Sequence, residues 1–174
     1  MSESLTPITP NRPLIWTDFV LDLRDALLDK EQEVYIVGGA VRDAYLHRPI
    51  KDIDLATPHN AIQLARYIAD VFNGDVYILD DERDIGRVLL DLPQEGRIVI
   101  DVARFRGDDL LADLIDRDFT FNAMAVDLHG DLGLLIDPLF GADDIENKLL
   151  RACTPHAIED DPIRALRAVR QSVQ

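Results

Sequence analysis

The stretch IKDIDLAT, residues 50–57, sets two aspartates two apart in a mainly apolar, strand-like run. In a strand the side chains at i and i+2 point the same way, so Asp52 and Asp54 share one face and Ile53 and Leu55 the other. Their Cα atoms then lie roughly 6–7 Å apart. Two carboxylates that close repel, and one stays protonated unless a cation sits between them. Hard divalent ions such as Mg²⁺ prefer carboxylate and phosphate oxygens together, and a pair of them can clamp the attacking and leaving oxygens of a phosphoryl transfer. A lone D-x-D has a commoner origin: a polar strand face at a sheet edge, neutralised here by Lys51 and arginines.

The neighbouring residues shift that balance. VGGAVRD, residues 37–43, comes just before the aspartates. Gly38 and Gly39 let backbone amides come close to a ligand. They stand at a strand-to-helix junction, where amides and the helix dipole favour a phosphate. Arg42, one turn in, can add charge-assisted bonds to it. The third glycine of G-x-G-x-x-G is absent, so a dinucleotide site is a poor match. In RIVIDVARF, residues 97–105, a third acid, Asp101, sits in a β-prone run. It either completes a carboxylate triad or faces solvent, and the pattern favours neither.

Around these motifs the periodicity predicts a helix over 14–30 starting near Pro13, a strand over 33–39, a helix over 40–47 and a strand over 51–57. A helix over 58–72 follows, with Thr57 as its N-cap before Pro58. Strands are expected over 75–79, 86–92 and 97–105, a helix over 108–115, and a hairpin pairing 121–128 with 132–138. Residues 143–150 and 161–174 read as helices, the latter opened by Asp161-Pro162. A β-α-β-α pattern followed by consecutive strands implies an α/β fold with a mixed sheet. The last helix carries Ile163, Leu166 and Val169 on one side, a stripe that calls for a packing partner.

Composition excludes several classes. At 174 residues, with 47% hydrophobic and 29% charged residues, the chain can bury a core and is not a disordered polymer. Neither a signal peptide nor an apolar run of membrane-spanning length is present, and the single cysteine, Cys153, makes no internal disulfide, so the expected compartment is the cytoplasm without a membrane partner. A formal net charge of −15 argues against a whole surface that grips nucleic acid. It does not argue against a site that handles nucleotides through metal ions. His47, His59, His129 and His156 lack metal-ligand spacing. The acidic and basic LDDERDIGR, 79–87, reads as a solvated hairpin or, more sharply, as a mobile loop over the site, the hairpin being the plainer reading; Trp16 and Phe19 read as packing residues.

Gly38-Gly39-x-x-Arg42-Asp43, then Asp52-x-Asp54, then an acid in a later strand resembles the DNA polymerase β nucleotidyltransferase superfamily. YIVGGAVRDAYLHRPIKDIDLATP, DRDFTFNAMAVD, DPLFGADDIENKLLRA and EDDPIRALRAVR resemble successive motifs of the class II tRNA nucleotidyltransferase (CCA-adding enzyme) and bacterial poly(A) polymerase family, over about residues 33–170. The resemblance implies a polymerase β-like α/β fold with helices flanking a mixed sheet. It implies a flexible arm over 1–13, a head domain over 14–150 and the start of a helical neck over 151–174. Members of the family are considerably longer, so the RNA-gripping neck, body and tail are expected to lie outside this chain.

The site implied by the resemblance follows position by position. Gly38, Gly39, Arg42 and Asp43 belong to the nucleotide site, where the two glycines and the arginine hold the triphosphate. Asp52 and Asp54 carry two Mg²⁺ ions, with Asp101 as the third catalytic acid. Arg117, Asp118 and Asn122 contact the ribose, and Asp161 and Arg164 read the base. An aspartate accepts from an exocyclic amine and an arginine donates to a ring nitrogen, so cytosine and adenine suit the pair while guanine and uracil do not. Without the resemblance, Asp161 before Pro162 reads as an N-cap. Asp116 stands where the family usually has a first arginine, and Asp160 where it has glutamate. The implied activity is template-independent addition of CMP and AMP from CTP and ATP to the 3′ end of tRNA or another RNA. Poly(A), CC-only and A-only addition are the variants. A non-catalytic nucleotide-binding module is the rival, and the presence of both metal aspartates speaks against it.

Overall fold

A computed structural model describes residues 5–172. Along the chain come α1 (Asp18–Leu27), β1 (Tyr35–Val37), α2 (Gly39–Leu46), β2 (Asp52–Thr57), α3 (Ala61–Phe72), β3 (Asp75–Asp80), β4 (Ile85–Leu92) and β5 (Gly96–Arg104). Then follow α4 (Leu110–Ile115), a 3₁₀ turn (Thr120–Asn122), β6 (Ala125–Asp127), α5 (Gly141–Glu146), α6 (Ala157–Asp160) and α7 (Ile163–Ser172). Six strands form one mixed sheet in the order β3-β4-β5-β2-β1-β6. β2 and β5 run parallel, and the other neighbours are antiparallel.

The period-2 pattern divides the sheet's faces. Ile53, Leu55, Val88, Leu90, Ile98, Ile100 and Val102 are buried in one core with α1, α2 and α3. That burial holds the three central strands rigidly from behind. On the opposite face a smaller cluster of Val37, Ala56, Ala125, Phe105, Leu110 and Leu114 covers only the β1/β6 side. The β2–β5–β4 part of that face stays open, and Asp52 and Asp54 stand there.

Several local expectations change. α1 starts at Asp18 rather than near Pro13 because the Thr17 hydroxyl accepts from Val20 N–H. Thr57 does not cap α3. It stays in β2, paired with Arg104, and its hydroxyl donates to the Glu33 carbonyl. The cap comes from another part of the chain: the Asp84 carboxylate accepts from Ala61 and Ile62 N–H, both at 2.9 Å. The hairpin over 121–138 reduces to β6 and a single bridge between Ala125 and Ile136, because 120–122 wind into the 3₁₀ turn. α6 was not foreseen. The arm expected to be loose over 1–13 is, in its described part 5–13, tied down: Ile8 exchanges both backbone bonds with Leu135 at 2.8 Å, and Arg12 lies over the Tyr45 ring. No helix among the described residues is long and apolar enough to cross a membrane.

DPLFGADD owes its form to packing. The Asp137 carboxylate, pushed up from its ordinary value by burial, accepts from Gly141 and Ala142 N–H and caps α5. A Cβ on Gly141 would land on the Thr120 carbonyl, so only glycine lets α5 approach the 3₁₀ turn. The buried Asp144 then accepts from the Thr120 hydroxyl at 2.6 Å and pairs with Arg151 at 2.9 Å.

Candidate active site

Strand register places the acids. Asp54 lies beside Asp101 across the parallel β2–β5 pair, and Asp101 opposes Arg87 across β5–β4. The three form one cross-sheet row on the open face. Asp52 is exposed, whereas Asp54 is recessed. Burial pushes the Asp54 carboxyl above its ordinary value, the Arg117 guanidinium opposes this, and Asp101 and Asp52 add to the rise. Such a carboxylate, crowded by like charge, is relieved by a cation. The donors are hard carboxylate oxygens on an open face, which fits a hard divalent cation.

The Gly38–Gly39 turn lies against this row. Gly38 has φ +72°, and a Cβ there would come within 2.9 Å of Arg117 Nη1 and 3.3 Å of Asp54 Oδ2. Glycine is favoured at this position by its backbone conformation, and a side chain there would also push on Arg117 and Asp54. Gly39 opens α2. Arg42 is held in place: Nε and Nη2 donate to Asp43, and Nη1 donates to Asn122 Oδ1 at 3.0 Å. Asn122 in turn donates to Asp118 Oδ1 at 3.0 Å. The motif residues from 42–43 and 118–122 thus form one polar chain.

Arg117 is anchored by a residue the sequence did not single out. Buried Asp113, one turn earlier on α4, accepts from Arg117 Nε and Nη2 at 3.2 and 2.9 Å, and from Arg106 N–H at 3.1 Å. Arg164 donates to the main-chain carbonyls of Asp116, at 2.7 Å, and Arg117. Asp161 precedes α7, and its carboxylate accepts from Ile163 N–H at 3.1 Å while standing 3.8 Å from Arg164. Both candidate base readers therefore satisfy backbone groups in this conformation, Asp161 a local one and Arg164 two distant in sequence.

An open cavity of about 1010 Å³ gathers Gly38, Gly39, Arg42, Asp43, Asp52, Asp54, Arg117, Asp118, Asn122, Asp161 and Arg164. Of the residues singled out from sequence, Asp101 alone is not in its lining. The carboxylate of Asp101 makes a bidentate pair with Arg87, at 2.7 Å on each oxygen. Sequence reading named Lys51 only as a neutralising neighbour and missed Arg83, Arg104, Arg106, Arg167 and Arg170, all in the lining. Among the described residues, nine lysines and arginines line this cavity against six carboxylates, in a chain of 18 basic and 33 acidic residues. An acidic protein thus concentrates positive charge at one site, which suits a polyanionic ligand. A signal for the helical share was present: Arg164, Arg167 and Arg170 recur every three residues. Arg83, in the turn after β3, lines the cavity, so of the two readings of 79–87 the solvated hairpin is incomplete and the placement over the site is the one met. Cys153 lies off the site, with its thiol pushed up to about 12 by burial.

A mixed sheet with helices on one face and paired aspartates on the other is the polymerase β-like nucleotidyltransferase fold. Residues 34–111 and 102–151 match the family described as "Poly A polymerase head domain", and the chain belongs to that family. It is 43% identical over 136 residues to a CC-adding tRNA nucleotidyltransferase of Geobacter sulfurreducens, covering 78% of this chain and 30% of the relative. With a CCA-adding enzyme of Streptococcus gordonii it shares 38% identity, over 79% of this chain and 36% of the relative. The solved complex of a CCA-adding enzyme with ATP superposes with a TM-score of 0.76 at 34% identity, covering 89% of this chain and 38% of that one. The chain spans about a third of the length of these relatives.

Proposed function

We propose that this chain is the catalytic head of a template-independent RNA nucleotidyltransferase that adds CMP or AMP from CTP or ATP to a tRNA 3′ end. The observation that carries the reading is the placement of Asp52 and Asp54 on one rigid strand face, beside a glycine turn and inside an arginine-lined cavity. Relatives that are CC-adding and CCA-adding tRNA nucleotidyltransferases support the choice of tRNA.

Each group has a role its geometry permits. Asp52 and Asp54 would hold two Mg²⁺ ions, whose chemistry there would be to acidify the RNA 3′-hydroxyl and to stabilise charge on the leaving pyrophosphate. The Gly38 and Gly39 amides at the start of α2, with Arg42, bind the triphosphate. Arg117, fixed by Asp113, neutralises developing charge near Asp54. Asp118 and Asn122, already bonded to each other, orient the ribose with Asp43 bracing Arg42. Asp161 and Arg164 select cytosine or adenine by exchanging their present backbone partners for the base edge. Residues 151–172 begin a helical part distinct from the sheet domain.

The test is extension of tRNA primers lacking CCA, CA or A by the whole gene product, with each nucleotide in turn. Product length separates CC, CCA and A addition. Elongation by GTP or UTP as efficient as by CTP and ATP would contradict the base assignment, and unimpaired extension by D52N or D54N would contradict the metal assignment.

A further inference from the structure

We infer that Arg87 is a positioning residue for the metal centre: its guanidinium holds both oxygens of Asp101, so that Asp52 and Asp54 are the working pair of metal carboxylates and Asp101 is a third ligand held in reserve. The inference rests on the metal-site reading of Asp52 and Asp54. Register makes Asp101 eligible, because it neighbours Asp54 on the adjacent strand, and neighbouring strands lie about 4.8 Å apart. An ion bound by Asp54 is thus within reach of a carboxylate at 101. Yet both Asp101 oxygens receive Arg87 bonds of 2.7 Å, the fork geometry that arginine supplies and a point charge does not. No three His, Cys, Asp or Glu side chains converge on a metal-binding position among the described residues.

Exposure limits what the pair adds to stability: the Arg87 side chain is 40% exposed and that of Asp101 28%, and water screens pairs so open. What the pair does is electrostatic and directional: it places a permanent cation at the end of the Asp54–Asp101 row and occupies both oxygens of one carboxylate. Free-ion affinity is thereby kept low, and the ions' remaining oxygens are left to the nucleotide's phosphates.

The experiment is Mn²⁺ titration of the 174-residue chain, read by the free-ion EPR signal, with Tb³⁺ luminescence lifetimes in H₂O and D₂O counting bound waters. D54N should lose at least about thirtyfold in Mn²⁺ affinity, and D101N no more than about threefold, the effect of one charge change at the site's edge. R87M should bind Mn²⁺ about three- to tenfold more tightly and lose about one ion-bound water to the freed Asp101 carboxylate. R87M/D101N should return to the wild-type affinity and water count. If D101N weakens binding as much as D54N does, Asp101 is already a ligand and the inference fails, even if R87M does not fold. R87M with unchanged affinity and hydration also overturns it. A wild-type chain whose Mn²⁺ binding is absent, or indifferent to D54N, would overturn the metal-site reading itself, an outcome distinct from the other two.

Discussion

The cavity has two walls of different construction. On the sheet wall, Asp52 and Asp54 alternate with Ile53 and Leu55, each of the latter 1% exposed. The strand is thus fixed by the main core while its other face carries the chemistry. The helical wall, α7, has no buried side chain from Ile163 to Gln171. It is tied by polar links: Arg164 to two carbonyls, Arg167 to Asp118 at 3.6 Å, and Arg42 to Gln171 at 3.4 Å. Its outer side presents Ile163, Leu166 and Val169 to solvent. Groups that must hold reacting atoms sit on the over-determined wall, and groups that must exchange partners to read a base sit on the adjustable one.

Breaking the sheet wall should have the largest effect. D54N should reduce turnover of the whole protein at least about a thousandfold yet raise the melting temperature of the metal-free chain at neutral pH. The sign follows from the raised carboxyl of Asp54. Ionised, it costs stability at every pH above its folded value, and that cost fades as pH falls from there toward the ordinary carboxylate range. The gain from D54N should shrink along the same course, which thermal melts across pH will show. A melting temperature lowered by D54N at pH 7 would mean that Asp54 holds the fold rather than waits for a cation.

D113N comes next. It strips a buried carboxylate from Arg117 and should cost about 3 kcal/mol in urea unfolding, with nucleotide affinity falling as Arg117 loosens. G38A should follow at about 2 kcal/mol, from positive φ and the crowding of Arg117 and Asp54. Its loss of triphosphate binding should exceed what the stability change explains. The helical wall should respond least. L166E, on the exposed side of α7, should shift stability by no more than about 0.5 kcal/mol. A larger loss would show that α7 is as firmly fixed as β2 and remove the contrast between the walls.

The parts of this molecule legible in its sequence are those set by short-range rules. The i,i+2 spacing put both aspartates on one face, the glycine pair marked the strand-to-helix turn, and the strand patterns between residues 75 and 105 came close to their observed bounds. Long-range partners were not legible. Asp84 takes the capping role expected of Thr57 because β2 keeps Thr57 for its ladder, and nothing near residue 60 announces an acid 22 residues on. Arg87 likewise reads as an ordinary outward strand residue until register sets it opposite Asp101. Asp113 looks like one of many surface acids until the fold buries it against Arg117.

The most direct measurement is calorimetric titration of the chain with CTP, ATP, GTP and UTP, each with and without Mg²⁺, beside D54N. The account predicts Mg²⁺-dependent binding of CTP and ATP, weaker binding of GTP and UTP, and loss of the Mg²⁺ dependence in D54N. Binding that ignores Mg²⁺, or is unchanged in D54N, would contradict the claim that Asp52 and Asp54 are a metal site for nucleotides.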